Sequence, residues 1–181
     1  MLFETLPIPG VWLLVPEKIS DNRGFFTRTW CRRELEAKGL VSEVVQANIS
    51  RNAKTGTLRG IHYQRAPHEE VKVVRCTRGA ILDVVVDIRP DSETYLQWVH
   101  VELSEDNHLT LYIPTGFAHG FLTLCDDTEV SYMHSEYYHP ESADGFRWDD
   151  PDIGIDWPVE PHDMIISDKD RNWTLVNERF D

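Results

Sequence analysis

Strand-sized runs of period two, broken by turn chemistry, cover most of this chain, and almost nothing in it repeats at the helical period. Stretches 11–15, 43–49, 58–64, 71–76, 80–87, 97–103, 109–113 and 128–133 carry β-branched and aromatic residues at the density expected of strands. In Trp98-Val99-His100-Val101-Glu102-Leu103 the valines and the leucine fall on one face, the pattern of a half-buried strand. The sequence predicts one helix, over 32–38, ended by Gly39, where a left-handed residue can close the last turn. Many strands, one early helix and no βα alternation imply an all-β barrel or sandwich of jelly-roll type. No repeat of 20 to 50 residues appears, which argues against a propeller or solenoid. A chain of 181 residues suffices for one sizeable core, so a single domain over 1–181 is expected. After Pro140 the tryptophan-pinned loops Trp148-Asp149-Asp150-Pro151 and Ile155-Asp156-Trp157-Pro158 read as a C-terminal segment wrapping over the barrel.

The charge narrows the function. Lys and Arg number 18 against 31 Asp and Glu, a net charge of −13 with no basic run, which argues against nucleic acid as a partner. An anionic small molecule would need its own arginines and lysines in a locally positive pocket. No apolar run approaches the roughly 20 residues of a membrane span, and the first residues lack the basic start and apolar stretch of a secretory signal, so a cytoplasmic location with no membrane partner is expected. Cys31, Cys76 and Cys125 are odd in number and form no CxxC pair, which suggests reduced packing cysteines.

Three segments concentrate reactive side chains. In Leu58-Arg59-Gly60-Ile61-His62-Tyr63-Gln64, strand alternation puts His62 and Arg59 on opposite faces, so both reach one pocket only if the strand bulges, and Gly60 is the place for it. Taken alone, His62 and the later Lys72 also fit a satisfied histidine and a surface lysine. The run 113–121, Ile-Pro-Thr-Gly-Phe-Ala-His-Gly-Phe, resembles the second half of the cupin signature, a double-stranded β-helix. The first half of that signature wants His-x-His and then Glu. Here Tyr63 and Gln64 follow His62, and His68 sits in a proline-containing turn, so the three-His-plus-Glu metal site lacks a ligand and a metal-free barrel is expected. His119 is then either a pocket histidine or a structural one. In the third segment Val130, Tyr132 and His134 share a strand face, and Asp170, within Ser167-Asp168-Lys169-Asp170, reads in isolation as part of a solvated charge cluster.

In order along the chain, these segments resemble the family of nucleotide-sugar 3,5-epimerases typified by dTDP-4-dehydrorhamnose 3,5-epimerase. The motifs are Asp21-x-Arg23-Gly24-x-Phe26, Gln46-x-Asn48-x-Ser50, Leu58-Arg59-Gly60-x-His62-Tyr63-Gln64, Lys72-Val73-Val74, the stretches 79–89 and 113–121, Tyr137-Tyr138-x-Pro140, Trp148-x-Asp150-Pro151 and Ser167-x-Lys169-Asp170. The resemblance implies a cupin-type jelly-roll barrel that epimerises a nucleotide-linked 4-keto-6-deoxyhexose at C3 and C5, with dTDP-4-dehydro-6-deoxy-D-glucose as the substrate. By that resemblance His62 is the base, oriented by Asp170, Lys72 stabilises the enolate, and Tyr132 returns a proton from the other face. The ketone supplies the acidity, so no cofactor or metal is implied. Arg59 and Arg23 would hold the diphosphate, with Gln46, Asn48, His119, Tyr138 and Lys169 nearby. The family's N-terminal segment, here carrying Arg23 and Phe26, reaches the partner's site, which implies a homodimer. Two positions depart from the pattern: Ile19 and Arg28 stand where thymidine-using members commonly have phenylalanine and glutamate, so the base remains open. A mono-epimerase at C3 or C5 shares the same motifs. From other classes, a metal-dependent cupin dioxygenase would need the missing ligands, and a non-catalytic sugar-binding cupin would tolerate loss of His62.

Overall fold

The computed structural model describes residues 1–179. Two six-stranded sheets face each other. The first has the order β1 (Leu2–Thr5), β2 (Trp12–Val15), β10 (Thr110–Ile113), β7 (Lys72–Arg78), β12 (Thr128–His134), β5 (Gln46–Asn52). The second runs β13 (Ala143–Gly145), β6 (Thr57–Gln64), β11 (Phe117–Thr123), β8 (Ala80–Asp87), β9 (Trp98–Ser104), with β14 (Ile165–Ile166) alongside β6. Neighbouring strands are antiparallel except for the β14–β6 pair. Strands β3 (Ile19–Asp21) and β4 (Gly24–Phe26) form a separate hairpin. From β5 to β8 and again from β9 to β13 sequential strands alternate between sheets, as β7 and β8 do across Gly79, so the architecture is the jelly roll expected from the sequence.

The main core lies between the sheets, where Val74, Cys76, Ile81, Val85, Leu103, Leu111, Phe121 and Val130 meet. Each sheet is also covered on its outer face. Val84, Val86, Ala118 and Ile61 pack under Phe146, Ile153 and Val176 of the C-terminal segment, while Val71, Val73 and Tyr112 pack against Leu35 of α1 (Arg32–Glu36). Double coverage explains β11, which is buried along its whole length and so shows none of the period-two alternation that marks the half-buried strands in the sequence. The wrapping segment expected over 140–181 is present through residue 179; residues 180 and 181 lie outside the described part.

The helix is two residues shorter than 32–38 and ends as anticipated. Gly39 has φ +72°, and the Leu40 N–H reaches the carbonyl of Leu35 at 3.0 Å. All three cysteines are free thiols; burial pushes that of Cys76 up to about 11. Among the described residues no helix is long and apolar enough to cross a membrane.

Candidate active site

A cavity of about 340 Å³ opens between the two sheets and is lined from both of them. Its β6 wall depends on one irregularity. His62 pairs with His119 and Arg59 with Phe121, so three steps of β6 span two of β11, and the extra residue falls at Gly60–Ile61. Gly60 has φ +145° and lies so close to β11 that a Cβ there would sit 2.6 Å from the Cα of Gly120. The bulge turns Arg59 and His62 onto the same wall, as the sequence required for both to act in one pocket.

His62 Nε2 lies 2.6 Å from Asp170 Oδ1. Asp170 is buried, not the solvated charge that its sequence neighbourhood suggests in isolation. It sits in α2 (Asp168–Arg171), a single turn capped by the Ser167 hydroxyl, which accepts the Asp170 N–H at 3.1 Å. The indole N–H of Trp173 donates to Oδ1 at 3.3 Å, and the Gly60 N–H approaches Oδ2 at 3.4 Å. Burial pushes the Asp170 carboxyl up, but the hydrogen bond and charge of His62, with those two N–H groups, outweigh it and hold the acid below the usual carboxylate range. A carboxylate so held fixes the imidazole's orientation.

The facing wall comes from the other sheet. Tyr132 shares its hydroxyl with that of Ser50 at 3.0 Å, and burial pushes its phenol well above the ordinary tyrosine value, which keeps it protonated. Lys72 donates to the carbonyl of His62 at 3.2 Å and pairs with Glu70 at 3.1 Å. Glu70 in turn binds His134 Nδ1 at 2.9 Å. His119 lines the cavity and is also held structurally, with Nε2 2.5 Å from Asp83, a carboxylate with no solvent exposure. Both sequence readings of His119 therefore apply.

Gln46, Asn48, Tyr138 and Lys169 also line the cavity. The Gln46 side-chain carbonyl accepts the Tyr138 N–H at 3.1 Å, the Arg59 Nε–H is anchored on Asn52 at 2.7 Å, and Lys169 lies over the Trp173 ring. Arg23 and Phe26 are elsewhere. They lie on the β3–β4 hairpin, outside this chain's own cavity, with the Arg23 side chain 85% exposed and paired to Asp21. Arg28 pairs with Glu34 at 2.5 Å.

Sequence reasoning missed Asp83, Glu70 and Trp173. Asp83 had a signal, since a carboxylate in the apolar run 80–87 demands a buried partner. Glu70 and Trp173 had none. His68, Glu136 and His139 bring metal-binding atoms within 4.8 Å of one another outside this cavity. The two imidazoles stack at 3.5 Å and 12°, however, so their lone pairs lie in parallel planes and do not converge on one point.

Comparison with known proteins identifies the relatives of this chain. The family model described as dTDP-4-dehydrorhamnose 3,5-epimerase matches residues 5–178. The dTDP-4-dehydrorhamnose 3,5-epimerase of Methanothermobacter thermautotrophicus is 47% identical over 172 residues, covering 94% of this chain and 92% of that one. The crystal structure of the Bacillus anthracis enzyme with TDP and PPi bound superposes with a TM-score of 0.93 at 42% identity, covering 97% and 99% of the two chains. A 3'-monoepimerase from Streptomyces bikiniensis, solved with dTDP-quinovose, gives a TM-score of 0.88 at 35% identity, covering 97% and 89%. With a matching model over nearly its whole length and relatives above 40% identity, this chain belongs to the dTDP-4-dehydrorhamnose 3,5-epimerase family, a family of isomerases built on this jelly roll.

Proposed function

We propose that the chain epimerises C3 and C5 of dTDP-4-dehydro-6-deoxy-D-glucose, giving dTDP-4-dehydro-L-rhamnose, with His62 as base and Tyr132 as acid. The observation that carries this reading is the placement of a carboxylate-held imidazole and a protonated phenol on opposite sheets across one cavity. A sugar ring between them meets a base on one face and an acid on the other. His62 takes the α-proton beside the C4 ketone, and the electron pair moves to O4, where the Lys72 ammonium stabilises the enolate. Tyr132 then protonates the same carbon from the opposite face, and solvent restores both groups. Arg59 is the cation on the cavity wall suited to the diphosphate.

Incubation in D₂O followed by NMR tests the reading. Deuterium entering both C3 and C5 is expected, each as the carbon inverts. Deuterium at one carbon would make the chain a mono-epimerase, an activity that the S. bikiniensis protein shows this fold can support. No exchange with folded protein would show that another nucleotide is used.

A homodimer completes the proposal. The β3–β4 hairpin exposes Ile19 by 72%, Phe25 by 49% and Phe26 by 71%, and the edge strand β5 beside the cavity exposes Ile49 by 67%. Such apolar surface fits a second copy, with the hairpin carrying Arg23 to the partner's diphosphate. Arg23→Ala and His62→Ala proteins, each inactive, should then complement when unfolded and refolded together. Random pairing restores about a quarter of the wild-type sites, because half the dimers are mixed and each of these holds one intact site. No recovery would place Arg23 outside the partner's site.

A further inference from the structure

Lys72 is the cation that the proposed mechanism sets against the enolate charge on O4, and its surroundings fix more than its charge. Its ammonium has three N–H donors. One points to the carbonyl of His62 at 3.2 Å and another to Glu70 at 3.1 Å, which leaves the third for the cavity that Lys72 lines. Two fixed bonds on a tetrahedral nitrogen determine where the third N–H points. Glu70 is itself immobilised: its second oxygen meets His134 Nδ1 at 2.9 Å, and both side chains are only about a tenth exposed. His134 follows Tyr132 by two residues on β12, and the two rings lie 6.0 Å apart at 24°. Glu70 therefore ties the ammonium on β7 to the strand that carries the proposed acid, while the His62 carbonyl ties it to the strand that carries the proposed base.

We propose that Glu70 is a positioning residue for the epimerisation, holding the Lys72 ammonium so that its free N–H meets the developing O4 enolate, with His134 fixing Glu70 in turn. The inference rests on the reading of Lys72 as the enolate's cation. Glu70 acts through Lys72, whose ammonium it pairs with at 3.1 Å. Burial pushes the Glu70 carboxyl up, but the hydrogen bond from His134 and the Lys72 charge outweigh it and hold the acid below its ordinary value, so it remains a full anion at neutral pH. A buried ammonium left without that anion would relax toward whatever acceptor or water it could reach.

The test is a double-mutant cycle on the full chain, reading kcat, KM and the Kd for dTDP. Glu70→Ala should lower kcat about ten-fold or more, with KM and the dTDP Kd within about three-fold of wild type. Glu70→Gln, which keeps an acceptor oxygen for the Lys72 N–H, should recover part of that loss. His134→Ala, which frees one oxygen of Glu70 and leaves the other on Lys72, should lower kcat by a smaller factor, about three-fold. In a Lys72→Ala background, Glu70→Ala should cost nothing further, because its route to the reaction is gone. An additive loss in that background, no recovery by glutamine, or a Glu70→Ala kcat within two-fold of wild type would overturn the proposal. Unchanged activity in Lys72→Ala alone would overturn the reading of Lys72 and this inference with it, a result distinguishable from a failure at Glu70.

Discussion

His62→Ala is expected to lower kcat about a thousand-fold while the Kd for dTDP stays within about three-fold of wild type, measured by coupled turnover and by calorimetry. The separation follows from the layout of the cavity. The proposed base stands on β6 with its Nε2 on Asp170, whereas the cation proposed for the diphosphate, Arg59, is anchored independently on Asn52. Removing the imidazole leaves Asp170 with the Trp173 and Gly60 N–H groups alone, so about 1–3 kcal/mol of stability should also go. His62→Asn separates the two effects. It keeps a donor directed at Asp170 and restores part of the stability, yet it cannot accept the substrate proton and should stay as inactive as alanine. Solvent deuterium should no longer enter C3 or C5 in either variant. Near-normal turnover in His62→Ala would reassign the base, and Asp83–His119, another carboxylate-held histidine of the cavity, would be the next pair to test.

How much of this site could be read from the sequence depends on how local each interaction is. The Arg59-Gly60-His62 geometry was legible because alternation forbids both side chains from facing one pocket and glycine is the residue that permits the exception. The jelly roll was legible in its half-buried strands, such as β9, and much less so in β11, whose burial on both faces removes the alternating signal. Asp170 is 108 residues from His62. Nothing in a one-turn helix rich in charge announces burial, and only the resemblance to a family singled it out. The Glu70–His134 contact spans 64 residues and matches none of the motifs that carried that resemblance, so it became visible only when β7 and β12 were placed side by side. The hairpin bearing Arg23 and Phe26 is the opposite case. The resemblance named its residues, while the single chain leaves them exposed and away from the cavity, where a second copy would have to use them.

Gly60→Ala should destabilise the protein by about 3–5 kcal/mol and, in whatever fraction folds, impair nucleotide binding and turnover together. Two costs combine at this position. A φ of +145° is a conformation that alanine strongly disfavours, and the added methyl would lie 2.6 Å from the Cα of Gly120, a backbone atom that cannot rotate away. Gly120 is equally confined, since a Cβ there would meet the Ile61 side chain at 2.6 Å, the Arg59 carbonyl at 2.9 Å and the Gly60 Cα at 3.0 Å. Gly39→Ala is the matched control: φ is +72°, nothing lies within 4 Å of its Cβ, and only the backbone term of about 1 kcal/mol applies. Denaturant unfolding measures the difference between the two. The kinetic signature is as informative as the stability. If β6 loses its bulge, strand alternation returns Arg59 and His62 to opposite faces, so dTDP affinity and kcat should fall in the same variant, whereas His62→Ala moves kcat alone. A Gly60→Ala protein as stable as Gly39→Ala, with both functions intact, would mean that the bulge survives a side chain at its tightest point.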